Sequence, residues 1–191
     1  MNATSHYSLG ILAGGRGLRW GGRDKGLICL EGRPLLARLV EPRPSLVGEI
    51  LICAREHPRF YQHFGDRVLC ETSADRGPCA GIVALLQSAS FPSLLILPVD
   101  LIGPVEEVIA VLEQEWREND KATVLCDEEG RHSPCMRLKR NALEPSAAYV
   151  EGGGKRLTGL LETTEARRIT ISSQWLRDAN WPETIRPQVD A

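Results

Sequence analysis

The sequence predicts an α/β domain built on a mostly parallel sheet. Apolar runs of strand length alternate along the chain with stretches of helical periodicity. With 191 residues the chain is long enough for one substantial core and short for two full domains, so residues 1–191 are expected to form a single domain. A composition of 42% hydrophobic and 25% charged residues sets aside disorder and a membrane-embedded chain as descriptions of the whole.

The elements follow in order. "YSLGILA" (7 to 13) is an unbroken apolar run, as expected of a strand covered on both faces. "PLLARLV" (34 to 40) predicts a short helix, "EILICA" (49 to 54) a second buried strand and "RVLC" (67 to 70) a brief third. After "RGPCAG", Ile82, Val83, Leu85, Leu86 and Ala89 mark a helix. "SLLILPV" (93 to 99) is a fourth strand, running into Asp100. Val105, Val108, Ile109, Leu112 and Trp116 then repeat at helical spacing, with Pro104 suited to the first turn. "KATVLC" (121 to 126) and "RRITIS" (167 to 172) predict two more strands, and an irregular tail is expected from about residue 175.

Several function classes fall away. The formal net charge is -2, and the four tryptophans form no stacking series, so a nucleic-acid partner is not expected. No apolar run approaches the length of a membrane span, and "MNATSHYSLG" has no basic stretch leading into an apolar one. A cytoplasmic protein is expected, with its six cysteines reduced and mostly buried. No two cysteines form C-x-x-C, and no histidine pairs with a cysteine at a readable spacing. Zinc and thiol catalysis therefore have no support.

In open α/β sheets, ligands bind beyond the carboxyl ends of the strands. The first strand ends in "ILAGGRGLRWGGRDKGL" (11 to 27), which holds six glycines, three arginines and a lysine. The dinucleotide fingerprint fails there, because Trp20 stands where the third glycine belongs. The P-loop fails because Arg23 and Asp24 follow Gly22. A flexible surface loop and a phosphate cradle remain. In a cradle, glycine backbone N–H groups approach phosphate oxygens while Arg19 and Lys25 add full charges.

This loop resembles that of the molybdenum cofactor guanylyltransferases, within the wider nucleotidyltransferase superfamily. Their pattern is L-A-G-G, then R-M-G-G, one residue, and D-K-G-L. The chain matches it at Leu12, Ala13, Gly14, Gly15, Arg19, Gly21, Gly22, Asp24, Lys25, Gly26 and Leu27, and departs at Trp20. Weaker likeness continues through "GRPLL" (32 to 36), "GPCAG" (77 to 81), "LLILPVD", "RHSPCMRL" (131 to 138) and "GGGKRLTGLLE" (152 to 162). Cys53 stands where the family often has asparagine, and Glu71 where aspartate is usual. Asp178 and Trp181 replace an asparagine and a threonine of a late motif.

The resemblance implies a Rossmann-like three-layer sandwich with a mixed, mostly parallel sheet, of the nucleotide-diphospho-sugar transferase type. It implies Mg²⁺-dependent transfer of GMP from GTP to the phosphate of molybdopterin, releasing pyrophosphate. Catalytic roles fall to Lys25, Arg19 and Asp100, with Asp100 holding the metal. Nucleotide contacts fall to Leu12, Ala13, Gly14, Gly15, Lys25, Cys53, Glu71, Gly81 and Asp100. Lys155, Arg156 and Asn180 are acceptor-side candidates. Cofactor-carrier proteins or molybdoenzymes would be partners. Each residue also has a plainer reading: Asp100 as a helix cap, Lys25 as a surface lysine, Lys155 and Arg156 as a solvated face. Two other functions stay open. One is a sister enzyme, a molybdopterin cytidylyltransferase or a sugar-phosphate nucleotidyltransferase. The other is a nucleotide-binding relative without activity.

Overall fold

The computed structural model describes residues 6–15, 21–41, 43–55, 57–70 and 77–179. Seven strands form one twisted sheet in the order β5-β4-β1-β6-β8-β7-β9. These are β1 (Tyr7–Ala13), β4 (Val47–Ala54), β5 (Arg67–Cys70), β6 (Ser93–Pro98), β7 (Ala122–Cys126), β8 (His132–Lys139) and β9 (Arg167–Thr170). A two-stranded hairpin, β2 (Cys29–Leu30) and β3 (Arg33–Pro34), stands apart. β1 pairs in parallel with both β4 and β6, as expected for consecutive buried strands joined by helices. β8 runs antiparallel to both of its neighbours, which makes the sheet mixed.

Helices cover both faces. β1 divides its side chains by strand alternation: Tyr7, Leu9, Ile11 and Ala13 join one core, which also takes α1 (Leu35–Val40) and α4 (Val105–Gln114). The opposite core gathers Ile82, Leu85 and Leu86 of α3 (Gly77–Ser88), Val150 of α5 (Leu143–Glu151), and Leu160 and Leu161 of α6 (Leu157–Thr163). The result is a three-layer sandwich.

The predicted elements are present, with small shifts at their ends. β4 begins at Val47, and β9 ends at Thr170. Pro104 is the N-cap of α4 and lies just before its first turn. α5 and the four-residue α2 (Pro58–Tyr61) were not expected from periodicity. The cysteines are mostly buried, as expected: Cys53, Cys79, Cys126 and Cys135 lie inside, while Cys29 and Cys70 are exposed. Burial pushes the Cys79 thiol up to about 11 and the Cys135 thiol up to about 12, so both stay protonated.

Candidate active site

Chain order places the site. From β1 the chain moves outward to β4 and β5, then returns to lay β6 on the other side of β1. The crevice beyond the carboxyl ends of β1 and β6 is therefore a topological switch point. Leu12 stands opposite Pro98 in the parallel register, and the Val99 N–H donates to the Leu12 carbonyl at 3.0 Å. The two strand ends are thus fixed side by side. One leads into Gly14 and Gly15, the other into Asp100.

A cavity of about 360 Å³ opens at this point, within the usual size range of ligand pockets. Its walls include Leu12, Gly14, Gly15 and Lys25 from the β1 side, Cys53 from the end of β4, and Asp100. Gly77, Pro78 and Gly81 bring the first turns of α3 to the same cavity. Orphan N–H groups of a helix N-terminus favour an anion. A Cβ at Gly81 would lie 2.8 Å from Leu12 Cδ2 and 3.5 Å from Cys53 Sγ, so glycine lets the helix close on the strands.

Lys25 Nζ and Asp100 Oδ2 meet at 2.6 Å, with the side chains only 15% and 18% exposed. A lysine this sheltered at a cavity wall is no ordinary surface residue. Nor does Asp100 cap a helix, since α4 starts at Pro104 without a side-chain cap. Lys25 is held by a tight turn. Asp24 is the N-cap of a 3₁₀ turn over Lys25–Leu27, and its Oδ1 accepts the Gly26 N–H at 3.0 Å. The same oxygen accepts the Tyr61 hydroxyl at 2.5 Å.

Beyond Asp100 lies a second cavity, of about 560 Å³, which shares Pro98, Asp100 and Pro134 with the first. Its other walls carry many charged and polar side chains, among them Asp127, Arg131, His132, Ser133, Arg177 and Asp178, beside Leu101 and Leu176. Two prolines explain the opening. The last β6–β8 pair is Ile96 with Met136, and continuing that antiparallel register would set Pro98 against Pro134. Neither residue has an N–H to donate, so the ladder stops and the strands part. His132 lies at this edge with its Nε2 buried and, among the described residues, without a hydrogen-bond partner. Burial first, and the Arg168 charge second, hold its pKa below the ordinary histidine value, so it is neutral at pH 7.

The chain that follows β9 straps this region. The Ala179 N–H donates to the Asp100 carbonyl at 2.8 Å, and the Ile102 N–H donates to the Arg177 carbonyl at 2.9 Å. Leu101 and Asp178 form an isolated antiparallel bridge. Ser173 N–H donates to Glu128 on the β7–β8 turn at 2.9 Å. A side chain at Gly103 would run into the Trp175 backbone.

The expected residues are only partly brought together. Leu12, Gly14, Gly15, Lys25, Cys53, Gly81 and Asp100 line one cavity. Ala13 instead turns its methyl into the core on the other face. Lys155 and Arg156 are exposed, and neither lines either cavity. The Lys155 carbonyl accepts from the Cys79 thiol at 3.4 Å, which sets this segment against the first turn of α3. Arg19, Glu71 and Asn180 lie outside the described residues, as does Trp181. Tyr61, Arg131, His132 and Arg177 were not anticipated at the site.

Comparison with known proteins agrees with this geometry. Residues 9–168 match the MobA-like NTP transferase domain family. The molybdenum cofactor guanylyltransferase of Shewanella halifaxensis is 30% identical over 156 residues, covering 81% of this chain and 78% of the relative. That of Cupriavidus necator is 36% identical over 155 residues, with 77% of each chain covered. Among solved structures, the molybdopterin-guanine dinucleotide biosynthesis protein A of Archaeoglobus fulgidus superposes with a TM-score of 0.74 at 16% identity, covering 93% of this chain and 94% of the other. The inositol-1-phosphate CTP transferase of T. maritima gives 0.77 at 9% identity, covering 97% and 94%. Likeness at these structural identities concerns the fold.

Proposed function

Because the chain belongs to the MobA-like NTP transferase family, and matches its molybdenum cofactor guanylyltransferases over about three quarters of its length, we propose that the paired cavities carry out guanylyl transfer to molybdopterin. The chain is a nucleotidyltransferase. GTP is the donor: an oxygen of the molybdopterin phosphate attacks the α-phosphorus, the bond from that phosphorus to the bridging oxygen breaks, and pyrophosphate leaves. The observation that carries this reading is the sheltered Lys25–Asp100 pair at the switch point, one member on each side of the crevice.

Both reactants are anions, so the protein must neutralise charge and fix geometry. Lys25 takes triphosphate oxygens and steadies the charge that builds up on them during transfer. Backbone N–H groups from Gly14, Gly15 and the first turn of α3 add fixed dipoles. The triphosphate lies in the cavity of Lys25, and the acceptor enters from the cavity of Arg131 and Arg177. Asp100, shared by both, stands where the two substrates meet.

The donor set fits a divalent cation of the Mg²⁺ kind. Asp100 is a hard carboxylate at a strand end, facing space that phosphate oxygens would fill. Among the described residues no three carboxylate, histidine or cysteine side chains converge. A cation here would thus draw most of its ligands from nucleotide and water, as Mg²⁺ commonly does. When bound, the ion withdraws electron density from the phosphate oxygens and orients them. Lys25 would then exchange part of its contact with Asp100 for phosphate.

A sister reading draws on Cys53, whose buried thiol stands in the cavity wall where the family often has an amide. Base choice separates the two. Titration calorimetry with GTP, CTP, ATP and UTP in the presence of Mg²⁺ is the test. Selective GTP binding, followed by pyrophosphate release once molybdopterin is added, supports guanylyl transfer. Preference for CTP moves the function to a cytidylyltransferase, and GTP binding without pyrophosphate release removes the catalytic reading.

A further inference from the structure

We infer that Tyr61 is a positioning residue for the triphosphate site, acting through Asp24 to set the turn that carries Lys25; this rests on the nucleotide reading above. Tyr61 ends α2 and is fully buried in the core, far along the chain from the glycine loop. Its hydroxyl donates to Asp24 Oδ1 at 2.5 Å, a short charge-assisted bond. The same carboxylate oxygen accepts the Gly26 N–H, so one atom joins the Tyr61 hydroxyl to the backbone on which Lys25 sits.

Shape agrees with bonding. A Cβ at Gly26 would fall on the Tyr61 hydroxyl and press on its ring, with Cε1 and Cζ at 3.0 Å. Gly26 is buried although it lies in a loop. The glycine of "DKG" is therefore explained by the tyrosine packed over it. Asp24 Oδ2 is buried with no hydrogen-bond partner among the described residues, so the bonds to Oδ1 hold the carboxylate in place. Loosening the turn would shift the Lys25 ammonium from its line toward Asp100, and its contact with triphosphate would weaken.

The test is Tyr61→Phe, which keeps the ring and removes the hydroxyl. GTP affinity is measured by calorimetry, and guanosine affinity by chemical-shift titration. Guanosine has no phosphate for Lys25 to hold. The expected result is a loss of about tenfold for GTP with guanosine unchanged. Equal loss of both ligands would make Tyr61 a merely structural residue, and no loss of either would remove it from the site; both outcomes overturn the proposal. Should Tyr61→Phe fail to fold, Asp24→Ala replaces it, since it removes the oxygen that accepts both the Tyr61 hydroxyl and the Gly26 N–H, and the proposal requires the same selective loss. If the unaltered protein binds no GTP, the nucleotide reading itself fails, which is a distinct outcome from a silent variant.

Discussion

Of the two cavities that meet at Asp100, one is walled largely by backbone and aliphatic groups around Lys25, while the other adds Asp127, Arg131, Arg177 and Asp178 to an apolar lining. The first is assembled from strand ends and the first turns of α3, held by the central parallel pairing of β1. The second depends on the turn between β7 and β8 and on the strap over 172–179. Backbone N–H groups recognise a phosphate whatever is attached to it, whereas side chains such as Arg131, His132 and Arg177 recognise a ligand through their own charge, reach and hydrogen bonding. Under the proposed guanylyl transfer, the difference teaches that the donor's common part would be specified by the sheet and the acceptor by surface turns.

Asp100→Ala should give the largest effect, because both cavities share that residue. Pyrophosphate release is expected to fall by about a thousandfold or more while the cooperative thermal melt is retained. A lost melt would show that the carboxylate serves the fold instead. Next comes Lys25→Ala, which should raise the Kd for GTP by about thirtyfold and leave the affinity for molybdopterin alone. If both affinities fall together, the division between the cavities breaks down.

Arg131→Ala and Arg177→Ala should sharpen the division from the other side. Each is expected to raise the KM for the acceptor about fivefold with the Kd for GTP unchanged. Arg131 is also bonded to Asp127, which keeps that carboxyl below the usual range, so its loss should loosen the β7–β8 turn as well. The smallest effect concerns His132. Its folded-state pKa is lowered, so the folded protein resists taking up the proton that the unfolded chain accepts near pH 6.5. Stability is complete above that pH, starts to fall below it, and stops falling once the folded pKa is passed. Denaturant titrations at pH 7.5 and pH 5.5 should show this slope, and His132→Asn should reduce it.

The contrast also explains what could be read from the sequence. The apolar runs "YSLGILA" and "SLLILPV" identify themselves as buried strands because both faces are covered, and their ends carry Gly14, Gly15 and Asp100. The donor cavity follows from that. Periodicity could not show that β8 lies antiparallel between β6 and β7, since pairing between distant segments leaves no local trace. Pro98 and Pro134 were visible, but only the register sets them opposite each other. Tyr61 sits in a four-residue helix with no repeat to mark it. Its partner Asp24 was visible only as a match to the D-K-G-L pattern, with nothing to link it to a tyrosine 37 residues on. α5 was missed for a related reason: "LEPSAAYVE" has a proline in its first turn and few large apolar residues.

The strap over the β6 exit has a consequence for synthesis. Ala179 follows Asp100 by 79 positions, yet its N–H bonds the Asp100 carbonyl. On a ribosome adding ~5–20 residues per second, roughly 4–16 s separate the appearance of the carboxylate from that of the backbone that anchors it. During that interval the nascent chain carries Gly14, Gly15 and Lys25, while the backbone at Asp100 still lacks the bond from Ala179. Closure of the strap is thus a late event in translation, coming after β7, β8 and β9 have been made.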